Sequence, residues 1–139
     1  LAAASGLAMV TTPTTQTAEV RRLAVLGAAT DVTAFHLMTR RLGELAEPLE
    51  HGHAGKLARA ATALTIAGGV GAALAGRSRI GAVLSGAALL AGSAATRFAV
   101  VEAGIESAKD PKYTVGPQKR RLEERRAAGA VHDSTVTVR

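Results

Sequence analysis

Long uncharged stretches separated by basic residues set the pattern of this chain. Between Arg59 and Arg77, and again between Arg79 and Arg97, seventeen consecutive residues carry no charge. A third stretch of seventeen, Leu23 to Thr39, lies between Arg21-Arg22 and Arg40-Arg41, and it holds Asp31 and His36. At about 1.5 Å per residue, each stretch reaches roughly 25 Å as a helix, the short end of what a bilayer requires. Flanking residues supply the remaining turn. The last two stretches are joined by the basic turn Gly76-Arg-Ser-Arg79, which predicts a membrane helical hairpin.

The rest of the chain follows from its breakers. Leu1 to Thr12 is apolar and Ala-rich, the back half of a helix, and Thr11-Thr-Pro-Thr-Thr15 ends it. Thr17-Ala-Glu-Val20 has the character of a capping segment, with its acid early in the next helix. Leu42 to Gly55 is polar and reads as a loop with a short helical start, punctuated by Pro48 and Gly52. Helices are expected from about Ala54 to Gly76 and from about Ile80 to Ala108. The two prolines and the glycine of Asp110-Pro-Lys-Tyr-Thr-Val-Gly-Pro117 are expected to break helical structure. Gln118 to Ala128 reads as a short charged helix, and Ala130 to Arg139 has no strong pattern and is expected to fray. The expected fold is therefore all-α, a multi-pass transmembrane bundle over 1–108 with a basic tail over 109–139. Its spans fall at about 1–12 (partial), 22–40, 57–76 and 80–104.

Composition supports lipid over water. Apolar residues make up 47% of the chain, yet aromatics are 2%, Trp is absent and there are 15 Gly. Burying Ala gains little in water, whereas small residues let helices in lipid approach closely. The interfacial Trp/Tyr belt common in membrane proteins is missing. The absence of cysteine excludes disulfides and thiolate metal sites. Net charge is +6, with much of the excess after Lys109. The amino-terminal stretch has neither a basic leader nor a cleavage site, so it does not read as a signal peptide, and the chain reads as the carboxyl-terminal part of something longer. Eleven Lys and Arg fall in the segments 40–59 and 109–126, against four (Arg21, Arg22, Arg77, Arg79) on the opposite side. That asymmetry predicts a cytoplasmic carboxyl terminus.

The polar residues within apolar stretches are the candidate chemistry. Asp31 and His36 are about 140° apart around one helix, which excludes a two-residue metal site on one face. An intramembrane acid is costly, so Asp31 is a candidate for proton relay or quinone-headgroup contact, or else for an interhelical hydrogen bond. His36, one turn from Arg40, suits the interface, and both are retained as quinone- or proton-pathway candidates. Arg97 either snorkels or pairs with an acid on a neighbouring helix. Glu102 and Glu106 share a face near the cytoplasmic boundary and could meet basic loop residues or a partner subunit. His51-Gly-His53 reads as a solvated loop, so no metal site is expected. Gly68-Gly69-Val-Gly71 lacks the strand and the Lys-Ser/Thr of a phosphate loop. Gly81/Ser85 and Gly92/Thr96 have the small-xxx-small spacing of close helix contact. Lys119-Arg-Arg-Leu-Glu-Glu-Arg-Arg126 alternates in sign without aromatics, which favours a solvated juxtamembrane helix over nucleic-acid binding.

One block is more specific. Arg97-Phe-Ala-Val-Val-Glu-Ala-Gly104, Ser107-Ala-Lys-Asp-Pro-Lys-Tyr113 and Pro117-Gln-Lys-Arg-Arg-Leu122 resemble the carboxyl-terminal end of NrfD-like (polysulfide-reductase type) membrane subunits. The upstream order Arg40-Arg-Leu-Gly, Glu47-Pro, Gly52-His-Ala-Gly-Lys-Leu, Gly76-Arg-Ser-Arg and Leu84-Ser-Gly is similar too. The resemblance implies an integral anchor in a bacterial cell membrane. Such an anchor exchanges electrons and protons between membrane quinone and an iron–sulfur subunit. Molybdopterin sits on a further catalytic partner, and the anchor itself binds no cofactor. The resemblance also implies that this chain supplies the last three helices and part of a fourth. Two other readings of the residues stay open: a generic small-residue membrane bundle, such as a transporter fragment, and a soluble Ala-rich bundle with a basic tail.

Overall fold

A computed structural model describes residues 1–46, 49, 52–75, 77–109 and 111–129. The protein is all-α. Five helices follow one another among the described residues: α1 (Ala2–Thr11), α2 (Ala18–Leu42), α3 (Gly52–Leu74), α4 (Arg79–Lys109) and α5 (Pro111–Ala127). The chain divides into two compact units, Leu1–Gly104 and Ile105–Arg139. Pro48, Glu50, His51, Gly76, Asp110 and the last ten residues, for which the sequence suggested loop, turn and tail roles, lie outside the described residues.

The helix ends obey local chemistry. Thr12, just before Pro13, is extended (φ −92°, ψ 140°), the conformation a following proline enforces, and α1 stops there. A 3-10 turn, Thr14–Gln16, leads to Thr17, whose buried hydroxyl donates to the Thr14 carbonyl at 2.9 Å. In α2, Glu19 lies in the first turn and Arg40 and Arg41 in the last, each complementing the helix dipole. Gly43 ends that helix at φ +54°, a conformation that costs glycine least. Ser78 caps α4, its hydroxyl accepting from the Gly81 N–H at 3.0 Å.

Two arginines show how the helices alternate. Arg21, at the start of α2, donates from Nε to the Ala72 carbonyl (3.0 Å) and from its guanidinium to the Ala73 carbonyl (3.4 Å), at the end of α3. Arg79, at the start of α4, donates to the carbonyls of Thr12 (3.0 Å) and Val10 (2.7 Å), at the end of α1. One end of the first unit thus gathers the carboxyl ends of α1 and α3 with the amino ends of α2 and α4. The four helices run up, down, up, down. Each arginine supplies donors to carbonyls that a helix terminus leaves without a partner.

Glycines close every seam between them. A methyl group built on Gly86 of α4 would sit 2.5 Å from the Gly6 carbonyl oxygen of α1. On Gly27 of α2 it would sit 2.8 Å from the Ala2 nitrogen of α1, and on Gly69 of α3 it would sit 2.7 Å from the Ala28 Cβ of α2. On Gly68 of α3 it would sit 2.7 Å from the Leu89 Cγ of α4. None of these places has room for a side chain. The enclosed core is correspondingly made of Ala2, Ala24, Ala28, Ala72 and Ala82, with Met9 and Leu89 as its only large members. Leu89, 0% exposed, fills the space between Gly6 and Gly68. A second, smaller cluster joins Leu49, Ala54 and Ala103, with Phe35 packed against it.

Two expectations need correction. The segment after Asp110 does not break the helix: α5 begins at Pro111 and continues through Gly116 and Pro117. Proline suits the first helical position because its missing N–H is unused there. Pro117 costs one backbone bond, to the Tyr113 carbonyl, without ending the helix. The described side chains from Gln118 to Gly129 are exposed, as expected for a solvated charged helix. The count of spans also differs. Among the described residues, α3 and α4 are long and apolar enough to cross a membrane, whereas α2, expected to span at 22–40, does not reach that standard. Its length is ample, but Asp31, His36 and the flanking arginines lower its apolar character.

The Gly86 contact is testable. Gly86→Ala should lower stability by about 1–3 kcal/mol, the usual cost of an overpacked site, measured by thermal unfolding in detergent. Gly104→Ala meets nothing within 4 Å and should be neutral or stabilising by about 0.5–1 kcal/mol, since alanine is the better helix former.

Candidate functional site

Two of the polar residues predicted within apolar stretches, Asp31 and Arg97, line one cavity from separate helices. A cavity of about 410 Å³ is lined by Asp31 of α2, by Arg97 of α4, and by Thr62, Thr65, Ser93 and Thr96 of α3 and α4. Leu1 and Ala3 of α1 form one wall, and Phe35, Met38 and Val100 form apolar parts of the others. The position follows from helix length. The ten residues of α1 reach about 15 Å. α2, α3 and α4 are each more than twice as long, so beyond the first turn of α1 three helices surround space that a fourth would fill. Thr62 and Thr65 place the cavity near the midpoint of α3.

The acid that the sequence sought as a neighbour of Arg97 is thus Asp31, across the cavity. They do not touch: the ion pairs among the described residues are Arg22–Glu19 at 2.9 Å and His53–Glu102 at 2.8 Å. Both Asp31 and Arg97 are exposed to the cavity opening. The threonines add a bias. Thr62 donates its hydroxyl proton to the Ala58 carbonyl (2.9 Å), and Thr96 donates to the Gly92 carbonyl (3.0 Å). What those two oxygens offer the cavity is therefore lone pairs. The site presents one anion, one fixed five-donor cation and hydroxyl acceptors around apolar walls. That set suits a small polar headgroup or a relayed proton.

His36 does not join Asp31. It lines a different furrow, on the outer face of the α2–α3 seam, with Phe35, Thr39, Ala58 and Arg59. The furrow and the cavity share Val32, Phe35 and Thr62 as lining, so the two candidates lie in adjoining pockets and not in one. Glu102 has a partner that the sequence reading missed: its two carboxylate oxygens lie 2.8 and 3.0 Å from His53 Nδ1. The signal was available. In the antiparallel hairpin, Gly68 meets Leu89 and Gly92 meets Thr65, and the same register brings the first turn of α3 to Glu102. His51, the other half of the pair read as a solvated loop, lies outside the described residues. Glu106 is exposed on α4. Among the described residues, no group of three or more His, Cys, Asp or Glu could hold a metal ion.

The His53–Glu102 bridge is half-exposed, so its contribution should be small. Glu102→Gln should cost less than about 1 kcal/mol of stability near neutral pH. Thermal unfolding of the chain with and without the substitution checks this.

Comparison of this chain with protein-family models, with curated proteins and with solved structures finds no match in any of the three.

Proposed function

We propose that this chain is a membrane-embedded helical bundle forming the carboxyl-terminal part of a quinone-coupled anchor subunit, of the NrfD-like type, in a respiratory oxidoreductase. The observation that carries the membrane reading is apolar surface left uncovered. Only 33% and 28% of the most apolar 18-residue stretches of α3 and α4 are buried within the chain. Leu74, Ile80, Phe98 and Leu84 are 80%, 75%, 68% and 65% exposed. A core helix of a water-soluble protein buries such residues, and exposure on this scale marks contact with lipid or protein. The glycine-closed seams agree, since dispersion between close backbones is what holds helices together in lipid.

The finer role rests on the cavity and on the residue block from Arg97 to Leu122. Charges within apolar helices are costly and gather at proton or ligand pathways. Asp31 supplies a proton acceptor, and Arg97 supplies hydrogen-bond donors for a carbonyl oxygen of a quinone headgroup. This chain holds no cofactor of its own in this reading. Iron–sulfur clusters and molybdopterin belong to the partner subunits. The cytoplasmic side carries the tail. Three of the four cations on the opposite side are already engaged: Arg21 and Arg79 with helix carbonyls, and Arg22 with Glu19.

Two measurements test the proposal. Alkaline washing of membranes should leave the protein in the pellet, with detergent needed for release; recovery in the aqueous fraction overturns the membrane reading. Within the assembled complex, Asp31→Asn should lower quinone-coupled turnover by about a hundredfold, the scale of a lost acid–base group, with subunit recovery unchanged. Unchanged turnover would reduce Asp31 to packing. Arg97→Leu, by contrast, should reduce both turnover and recovery, because it leaves the carboxylate unbalanced in an apolar bundle.

A further inference from the structure

The charged helix α5 carries one face that is free of acid. At about 100° per residue, Val115, Gln118, Lys119, Leu122, Arg125 and Arg126 fall within an arc of about 120°. Glu123 and Glu124 lie about 100° and 160° from Leu122, off that arc. All eight of these residues are exposed. Val115 and Leu122, two turns apart, are 43% and 40% exposed and form a narrow apolar strip along the middle of the face. Arg125 borders the strip on one side, Lys119 and Arg126 on the other. Among the described residues, the ion pairs involve none of these three cations.

We infer that this face of α5 rests on the anionic phospholipid surface of the cytoplasmic leaflet. Lys119, Arg125 and Arg126 lie against phosphates, and Val115 and Leu122 turn into the headgroup layer. The inference rests on the membrane reading above. Three observations favour lipid as the occupant. The first is reach. α4 has 31 residues, about 46 Å of helix. A bilayer with its headgroup layers is about 40–45 Å thick, so a crossing α4 delivers the chain to the far headgroup layer. One residue, Asp110, separates α4 from α5. The second is charge. The segment 119–126 holds five Lys and Arg against two Glu, and a basic cluster just beyond a membrane helix suits anionic lipid. The third is the make-up of the strip. Aliphatic side chains between cations suit a lipid boundary, whereas nucleic acid would want aromatic rings for its bases. An acidic protein would meet the same cations only from solution. The leaflet is tethered beside them by the chain itself, which raises its effective concentration.

The chain contains no Trp, so a single introduced one reports its own surroundings. The full chain carrying Leu122→Trp is reconstituted in lipid nanodiscs, both faces of which are open to solvent. The lipid is phosphatidylcholine with or without phosphatidylglycerol, and Trp emission and its quenching by aqueous acrylamide are read. Val115→Trp is a second reporter on the strip. Ala127→Trp, about 140° from Leu122, marks the far side of the helix. Phe98→Trp on α4 reports the bilayer interior. Each cation near an anionic surface adds about fivefold, so three favour the seated state by about a hundredfold. With phosphatidylglycerol present, both strip reporters should therefore shift to the blue and lose most of their quenching, while Ala127→Trp stays quenched. Lys119→Gln, Arg125→Gln and Arg126→Gln together should restore the quenching. So should salt at about 1 M, where the Debye length falls to about 3 Å. Strip reporters that respond alike with and without phosphatidylglycerol overturn the inference. Protection of Ala127→Trp equal to that of Leu122→Trp overturns the assignment of the face. Protection that survives the triple substitution overturns the role of the cations. All three outcomes leave the membrane reading intact while Phe98→Trp is shielded in both lipids. Phe98→Trp open to acrylamide overturns the membrane reading itself.

Discussion

The structure depends on how closely helix backbones approach one another. Every seam of the four-helix unit passes through a glycine that could not carry even a methyl group without meeting a neighbour: Gly27, Gly69, Gly68 and Gly86. In water this arrangement would be poor, because the buried Ala side chains remove little apolar area from solvent. In lipid it is favoured, because the solvent is already apolar and contact density decides. The large side chains accordingly point the other way. Leu74, Ile80, Leu84 and Phe98 face outward, and Met9 and Leu89 are exceptions that the glycines accommodate.

The same economy governs charge. Arg21 and Arg79 are spent on the ends of α3 and α1, where carbonyls would otherwise lack donors. Asp31 and Arg97 are placed where a short helix leaves space, and they face the same cavity without touching. A direct pair there would neutralise itself and serve structure alone. Charges kept apart in a cavity that is also lined by hydroxyl groups keep their capacity to bind something else. His53 and Glu102 do pair, at a partly exposed position where such a pair is weakly held.

Much of this was legible in the residues. The helices expected from about Ala54 to Gly76 and from about Ile80 to Ala108 match α3 and α4 to within a few residues, because helix length and apolar continuity are local properties. The end of α1 was marked by Pro13 for the same reason. The α5 boundary was misread because proline was weighed as a breaker, whereas its effect depends on position: harmless at Pro111, a single lost bond at Pro117. The site was half legible. Each of Asp31 and Arg97 stood out alone as a charge among apolar neighbours, but their shared cavity depends on which helices are adjacent, and spacing along the chain does not carry that. His53 looked like part of a loop clip until the hairpin register brought Glu102 beside it.

The crossed arginines have a mechanical consequence. Four side-chain hydrogen bonds, two from Arg21 and two from Arg79, bind the end of the unit where the tight turns lie. Parting the helices at that end means breaking all four bonds, so the cavity near the midpoint of α3 hangs from a clamped rim.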